Sequence, residues 1–118
     1  MKIEIKEKWL DALRSGEYKQ GTKKLRTRFD EYCCLGVLCD IYNKETREGS
    51  WRESDFSYEF INEGKPNVTI YLPSYIAKWA GLSETDPRIK SKGNQPISHI
   101  NDKGTSFNEI AELIEKEL

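Results

Sequence analysis

The sequence predicts an α+β fold: one small domain with a buried central helix, three or four further helices and short antiparallel β-hairpins. The residues from Tyr32 to Tyr42 form the least polar run of the chain, and their apolar side chains recur at helical spacing around nearly the whole circumference. A helix of this kind must be buried, so the other elements are expected to pack on it. Alternating aromatic and β-branched residues between 56 and 72 predict strands, and a capping box at Ser106 predicts a final helix.

Composition limits the class of protein. A chain of 118 residues is long enough for a single domain, residues 1–118, that buries most of its apolar surface without disulfides or metal. A net charge of −1 argues against general nucleic-acid binding, which needs a basic excess. No apolar run approaches the roughly 18 residues of a membrane span, and the N-terminus lacks the apolar core of a signal peptide. We therefore expect a cytoplasmic protein without membrane contact.

The segment before the central helix contains a first helix and an irregular hairpin. Apolar residues at helical spacing predict the first helix over residues 4 to 15, with Gly16 as its left-handed C-terminal cap. Residues 17–28 contain two short β-compatible pieces separated by Gly21, which predicts the hairpin. Asp30 is the expected N-cap of the central helix.

After the central helix, residues 43–55 are polar and predict a loop. The runs 56–61 and 67–72 are aromatic and β-branched, and the turn residues between them predict an antiparallel hairpin.

The last third of the chain is predicted to be mainly helical. A short helix is expected to begin at Pro73 and to end at Gly81-Leu82 in a Schellman motif. Residues 83–95 predict a connection with a short extended piece around Ile89, and residues 97–101 predict one helical turn. The final helix should run from Phe107 to about Glu117.

The residues that most often carry chemistry give weak signals. Cys33, Cys34 and Cys39 are interpreted as reduced, buried thiols, and His99 is the single histidine of the chain. Neither the paired ligand spacing of a zinc site nor a phosphate-binding glycine loop is present. We therefore expect no catalytic residue, no metal and no cofactor.

A basic stretch is the strongest candidate for a binding site. No acidic residue lies between Lys19 and Arg28, and the arginine at the end of the first helix precedes this stretch. Arginine and lysine bind phosphates, a tyrosine ring can stack on a base, and a glutamine can read a base edge or a ribose hydroxyl. A solvated hairpin is the alternative interpretation. The expected ligand-binding residues are Arg14, Tyr18, Gln20, Lys24, Arg26 and Arg28.

Four stretches resemble a family of small proteins encoded by bacteriophages and prophages. They are WLDALRSGEYKQG at 9–21, YCCLGVLCD at 32–40, LP to WAGL at 72–82, and NDKGTSF to IAELIE at 101–115. The resemblance implies a phage setting in the cytoplasm of an infected bacterium, where small proteins often act against host defence.

Three functions follow as hypotheses. The leading hypothesis is a sponge, a protein that sequesters a nucleotide-type immune signal such as a cyclic oligonucleotide or an ADP-ribose derivative without chemistry, expected by analogy to be a homo-oligomer. The first alternative is a protein-interaction module that inhibits a host protein through Trp51, Phe56 and Tyr58. The second is a cysteine-dependent hydrolase that uses Cys34 and His99.

Overall fold

Five α-helices and six short strands follow one another along residues 1–118 in the computed structural model of the protein. Their order is α1 Ile3–Arg14, β1 Lys19–Gln20, β2 Glu31–Tyr32, α2 Cys34–Thr46, β3 Ser50–Glu53, β4 Tyr58–Ile61, α3 Ser74–Ala80, β5 Arg88–Ile89, β6 Gln95–Pro96, α4 Ile97–Asp102 and α5 Phe107–Glu117. The predicted α+β class with a central helix is confirmed. No helix combines the length and the apolar character that crossing a bilayer requires.

Helix α2 is the centre of the core, as its apolar run predicts. Every residue from Cys34 to Tyr42 is buried. Helices α1 and α5 pack against each other, α1 also packs on α2, and α4 contacts both α2 and α5. At Gly36 an added Cβ would lie 1.8 Å from the carbonyl oxygen of Leu25. The basic segment therefore crosses directly over α2 at a point where only glycine fits.

The expected hairpin within residues 17–28 is wrong. Strand β1 pairs in parallel with β2, so that Lys19 lies opposite Glu31 and Gln20 lies opposite Tyr32. Beyond β1 the N–H of Gly21 donates to the Tyr32 carbonyl at 2.8 Å, and Leu25 is fully buried further along. Burial of Leu25 carries the segment across the core. The partner of β1 is therefore β2, which follows residues 17–28 rather than lying within them.

The expected pairing of 56–61 with 67–72 is also largely wrong. Strand β4 pairs antiparallel with β3, which lies in the segment predicted to be a loop. From the second run, Val68 alone forms a bridge to Phe60. The indole of Trp51, directly opposite Phe60, packs against that fully buried ring with centroids 5.0 Å apart. This cross-strand aromatic pair explains why β4 pairs with β3 rather than with residues 67–72.

Asp30 is not the N-cap of α2. The helix begins after Cys33, whose side chain makes no capping bond, and Asp30 lies three residues earlier with φ +64°. The first free N–H, that of Cys34, instead donates to the Asn101 side-chain oxygen at 3.2 Å. A residue distant in sequence therefore serves as the cap, because β2 separates Asp30 from the helix.

The remaining expectations about secondary structure hold. Helices α1 and α5 match their predicted ranges within one residue, and the Ser106 hydroxyl accepts the Glu109 N–H at 3.2 Å. Gly81 ends α3 with φ +76°, and the N–H of Leu82 donates to the Ala77 carbonyl at 2.9 Å. The extended piece around Ile89 is β5, which pairs antiparallel with β6.

Candidate binding cleft

An open cleft of about 460 Å³ lies where the segment after α1 and the turn before β2 approach α2. We call it the Tyr18 cleft. Its lining residues are Glu17, Tyr18, Lys19, Phe29, Asp30, Tyr32, Asp40 and Lys44. Two other open clefts, of about 520 and 390 Å³, have no aromatic ring in their lining. Because small-molecule sites are about 300 to 1,000 Å³ in volume and combine aromatic walls with a few polar groups, the Tyr18 cleft is the best candidate.

The floor of the cleft is built around the buried carboxylate of Asp40 on α2. One oxygen accepts the Tyr18 hydroxyl at 2.5 Å, and the other accepts the Trp51 indole N–H at 3.0 Å. The Lys44 ammonium lies 3.4 Å from Asp40 and donates to the Tyr18 hydroxyl oxygen at 3.0 Å. A buried carboxylate is tolerated when it is paired and hydrogen-bonded, and Asp40 meets both conditions.

The same contacts set the ionisation of the floor. Burial raises the pKa of Tyr18, and its hydrogen bond to Asp40 raises it further. The hydrogen bond to Tyr18 raises the pKa of Lys44, and the charge of Asp40 adds to this effect. At neutral pH the tyrosine therefore keeps its proton and the lysine stays charged, so that the cleft contains a cation beside an aromatic ring.

Behind the cleft wall, the guanidinium of Arg26 is surrounded by aromatic rings. Its central carbon lies 3.9 Å from the ring centre of Tyr58, 5.2 Å from that of Tyr32 and 5.6 Å from that of Trp51. The Arg26 side chain is 17% exposed, and Nε and Nη2 both donate to one oxygen of Asp30, at 2.7 and 2.6 Å. Arg26 is therefore a preorganised cation whose acidic partner lines the Tyr18 cleft.

Gln20 has a structural role. Its amide nitrogen donates to the Asn101 side-chain oxygen at 3.0 Å and to the Thr105 carbonyl at 2.8 Å, and its oxygen accepts the N–H of Phe107 at 3.1 Å. Asn101 is fully buried and also donates to the Gly21 carbonyl at 3.0 Å. These contacts, which we call the Asn101 network, join β1 to the ends of α4 and α5 and use the whole Gln20 amide.

The six predicted ligand-binding residues do not converge on one cavity. Tyr18 lines the Tyr18 cleft, whereas Gln20 belongs to the Asn101 network. Arg14 reaches Glu115 on α5 at 3.2 Å. The other three follow Gly21 but are not in the cleft lining: Lys24 is half-buried, Arg26 lies behind the wall, and Arg28 is exposed over the ring of Phe29, at 4.9 Å.

Asp40 and Lys44 line the cleft but were not among the residues expected from the sequence. Asp40 is the one acidic residue in the run predicted to be buried, and a charge at such a position must find partners. Lys44 follows it by four residues on the same helix, the spacing of a side-chain pair. These two features were the signal in the sequence that could have pointed to a polar cluster at this position of α2. The position of Phe29 at the cleft could not be read from the sequence.

The cysteines are buried inside the core. Cys34 is fully buried, and burial raises the pKa of its thiol well above the ordinary value. Burial also raises the pKa of Cys33 to about 11. His99 is exposed, whereas a reactive thiolate requires an adjacent base or a positive environment. A separate small pocket beside Cys33 has a volume of about 80 Å³, too small for a nucleotide. No group of three or more metal-ligating side chains is present.

The fold and the cleft together define a small α+β domain whose buried central helix forms the floor of an open, aromatic-lined cleft. The chain belongs to the family described as Domain of unknown function (DUF8296), whose model matches residues 1–118. No curated protein and no solved structure matches the chain.

Proposed function

We propose that this protein binds a nucleotide-type anion, such as a cyclic oligonucleotide or an ADP-ribose derivative, in the Tyr18 cleft and sequesters it without chemistry. The observation that carries the proposal is the position of Phe29. Its ring is 67% exposed although it lines a cleft that also contains the ammonium groups of Lys19 and Lys44. An exposed ring beside two lysine ammonium groups suits a ligand with a planar base and phosphates.

Each part of such a ligand has a chemical partner in the cleft. The base stacks on Phe29, and the phosphates lie near Lys19 and Lys44, whose side chains are largely exposed. The carboxylate of Glu17 is placed to accept a ribose hydroxyl or a base amino group. Base stacking on an aromatic side chain contributes about 1–3 kcal/mol, so the ring is expected to provide much of the affinity.

Binding without turnover agrees with the state of the groups around the cleft. Both oxygens of Asp40 already accept hydrogen bonds, and Lys44 remains charged. Neither group is therefore well suited to take a proton from a substrate. The Cys34 thiol, the nucleophile of the hydrolase hypothesis, is in the core rather than in the cleft.

The proposal includes a biological setting. A sponge of this kind, encoded by a phage and acting in the cytoplasm of an infected bacterium, removes an immune signal by mass action. The cleft is open on one side, so a second copy of the chain is a natural way to enclose a whole ligand, and we propose a homo-oligomer.

The experiment is a thermal-shift panel of cyclic dinucleotides, cyclic trinucleotides and ADP-ribose derivatives. A ligand at 100 times its Kd stabilises the folded state by about 2.7 kcal/mol, which gives a clear rise in Tm. Phe29→Ala is expected to weaken binding of the active compound about tenfold because stacking is lost.

Phe56→Ala is the matched control. Phe56 is 79% exposed on the neighbouring loop, which Thr27 joins through a bridge to Ser57, and it is not in the cleft lining. It should leave nucleotide binding unchanged. Absence of any shift across the panel, or equal loss in both variants, contradicts the proposal.

A protein-interaction module is the second candidate, favoured by the same neighbouring loops. Of the three anchors expected from the sequence, Trp51 and Tyr58 are half-buried around Arg26, and Phe56 is exposed. Phe56 and Phe29 are both exposed, on loops that the bridge between Thr27 and Ser57 joins, and exposed aromatic side chains suit a protein partner. Inhibition of a host enzyme that is lost in Phe56→Ala, with no shift in the nucleotide panel, would favour this function.

A further inference from the structure

The ion pair between Arg26 and Asp30 is unequal in exposure. The Arg26 side chain is 17% exposed and the Asp30 side chain is 63% exposed. The cation is thus held by Tyr58, Tyr32 and Trp51, whereas its acidic partner lies mainly in solvent. An ion pair of this kind contributes little to stability, because water competes for the exposed carboxylate.

Asp30 lies on a tight turn that forms part of the cleft wall. Its φ of +64° is in the left-handed region, and its N–H donates to the Thr27 carbonyl at 2.9 Å. Aspartate tolerates this region better than most residues. The turn carries Phe29 and Asp30 next to each other, and both line the Tyr18 cleft. A ligand stacked on Phe29 therefore lies beside the Arg26–Asp30 pair.

We infer that Asp30 occupies the anion position of Arg26 in the free protein and that a phosphoryl group of the ligand displaces it. A phosphoryl group has more charge than a carboxylate and can accept both guanidinium N–H groups in a forked geometry. The rings around Arg26 hold the guanidinium in place during the exchange. Asp30 is then a built-in competitor that lowers affinity for weakly charged anions. This inference rests on the proposed function, because it gives the ligand phosphate a specific partner.

The experiment uses inorganic pyrophosphate as the probe and the Nε–Hε NMR signal of Arg26 as the readout. Ring currents from the three aromatic side chains should set this signal apart from those of the other arginines. Pyrophosphate is expected to shift it. Asp30→Asn removes the competing charge but keeps a residue that tolerates a positive φ, and it should tighten the pyrophosphate Kd about fivefold at low salt.

Asp55→Asn is the matched control. It makes the same change in net charge at an exposed position on the adjacent loop, outside the cleft lining. Arg26→Lys keeps the charge but loses the fork, and in the Asp30→Asn background it should cancel the gain. An equal gain in Asp30→Asn and Asp55→Asn, or an Arg26 signal that pyrophosphate does not move, overturns the inference.

The two proposals fail in different ways. If nucleotides bind and Phe29→Ala weakens them, while Asp30→Asn and Arg26→Lys leave their Kd unchanged, the cleft is the site and the exchange at Arg26 is wrong. If pyrophosphate shifts the Arg26 signal and Asp30→Asn lowers the pyrophosphate Kd, while no nucleotide binds, the anion position at Arg26 is supported and the nucleotide ligand is wrong.

Discussion

Residues 17–32 contribute to both the Asn101 network and the Tyr18 cleft, yet the two regions differ in how their polar groups are satisfied. The Asn101 amide makes four hydrogen bonds, to Gln20, Cys34, Gly21 and Asp102, and is fully buried. In the cleft, Asp30 and Lys44 are exposed and pair with other side chains. The centre of the network, Asn101, is shielded from solvent, whereas the cleft retains exposed charged groups that a ligand can reach.

The difference follows from the identity of the partners. Two of the four Asn101 partners are backbone groups, whose positions are fixed by β1 and α2. Asp30 and Lys44 have long or exposed side chains that can exchange one partner for another. A polar cluster bonded to backbone therefore specifies the fold, and one bonded through exposed side chains is open to binding.

The largest effect is expected from Asn101→Leu. The substitution leaves the Cys34 N–H, the Gly21 carbonyl and the Gln20 amide without their partner inside the core, which should lower the free energy of unfolding by about 3 kcal/mol or more. Chemical denaturation measures the change. Asn108→Leu, at an exposed position of α5, is the control and should change stability by less than about 0.5 kcal/mol. Equal stability of the two variants would show that the network does not hold α2 to α4.

Gln20→Ala separates the structural role of Gln20 from the ligand-reading role expected from the sequence. Loss of its bonds to Asn101, Thr105 and Phe107 should destabilise the domain by about 2 kcal/mol. At a temperature where the variant is folded, its Kd for any compound found in the panel should equal that of the wild type. Normal stability with lost binding would move Gln20 from the network to the site.

Tyr18→Phe tests the cleft floor through the pH dependence of stability. Burial raises the folded-state pKa of Tyr18, so above the unfolded value of about 10 the unfolded chain loses this proton while the folded chain keeps it. The stability that the buried, protonated Tyr18 contributes is thus fully present below about pH 10. It is lost as pH rises from there through the folded-state pKa.

The variant should therefore be less stable by about 1 kcal/mol at neutral pH, and its stability should decline less steeply above about pH 10. Burial also raises the pKa of Tyr32, Tyr42 and Tyr75, so part of the decline remains. Denaturation curves from about pH 8 to about pH 11 measure both effects. An unchanged alkaline slope would contradict the raised pKa of Tyr18.

The helices could be predicted because their signals are local. The apolar run of α2, the capping box of α5 and Gly81 each act within a few residues. The strand partners could not, because they depend on contacts between distant residues. The pairing of Trp51 with Phe60 and the burial of Leu25 decide which segments meet, and neither contact leaves a pattern in the neighbouring sequence.

One segment of the candidate cleft could be anticipated from the sequence. The basic stretch does border the cleft, and Tyr18 lines it, but charge alone did not show that Arg26 faces the aromatic rings or that Gln20 turns toward Asn101. These orientations follow from the parallel pairing of β1 with β2, which the hairpin hypothesis had excluded. The strand pairing that the sequence did not show therefore also decides where these side chains lie.

Arg14→Ala should have the smallest effect and completes the contrast with Arg26. Arg14 was also expected to bind the ligand, but its guanidinium lies 3.2 Å from Glu115 on α5 and is outside the cleft lining. An exposed pair of this kind contributes about 0.5 kcal/mol or less, so stability should hardly change. Pyrophosphate and nucleotide Kd values at physiological salt should match those of the wild type, because screening weakens the effect of a distant surface charge. A clear loss of binding would show that the ligand extends toward α5 and that the binding surface includes Arg14.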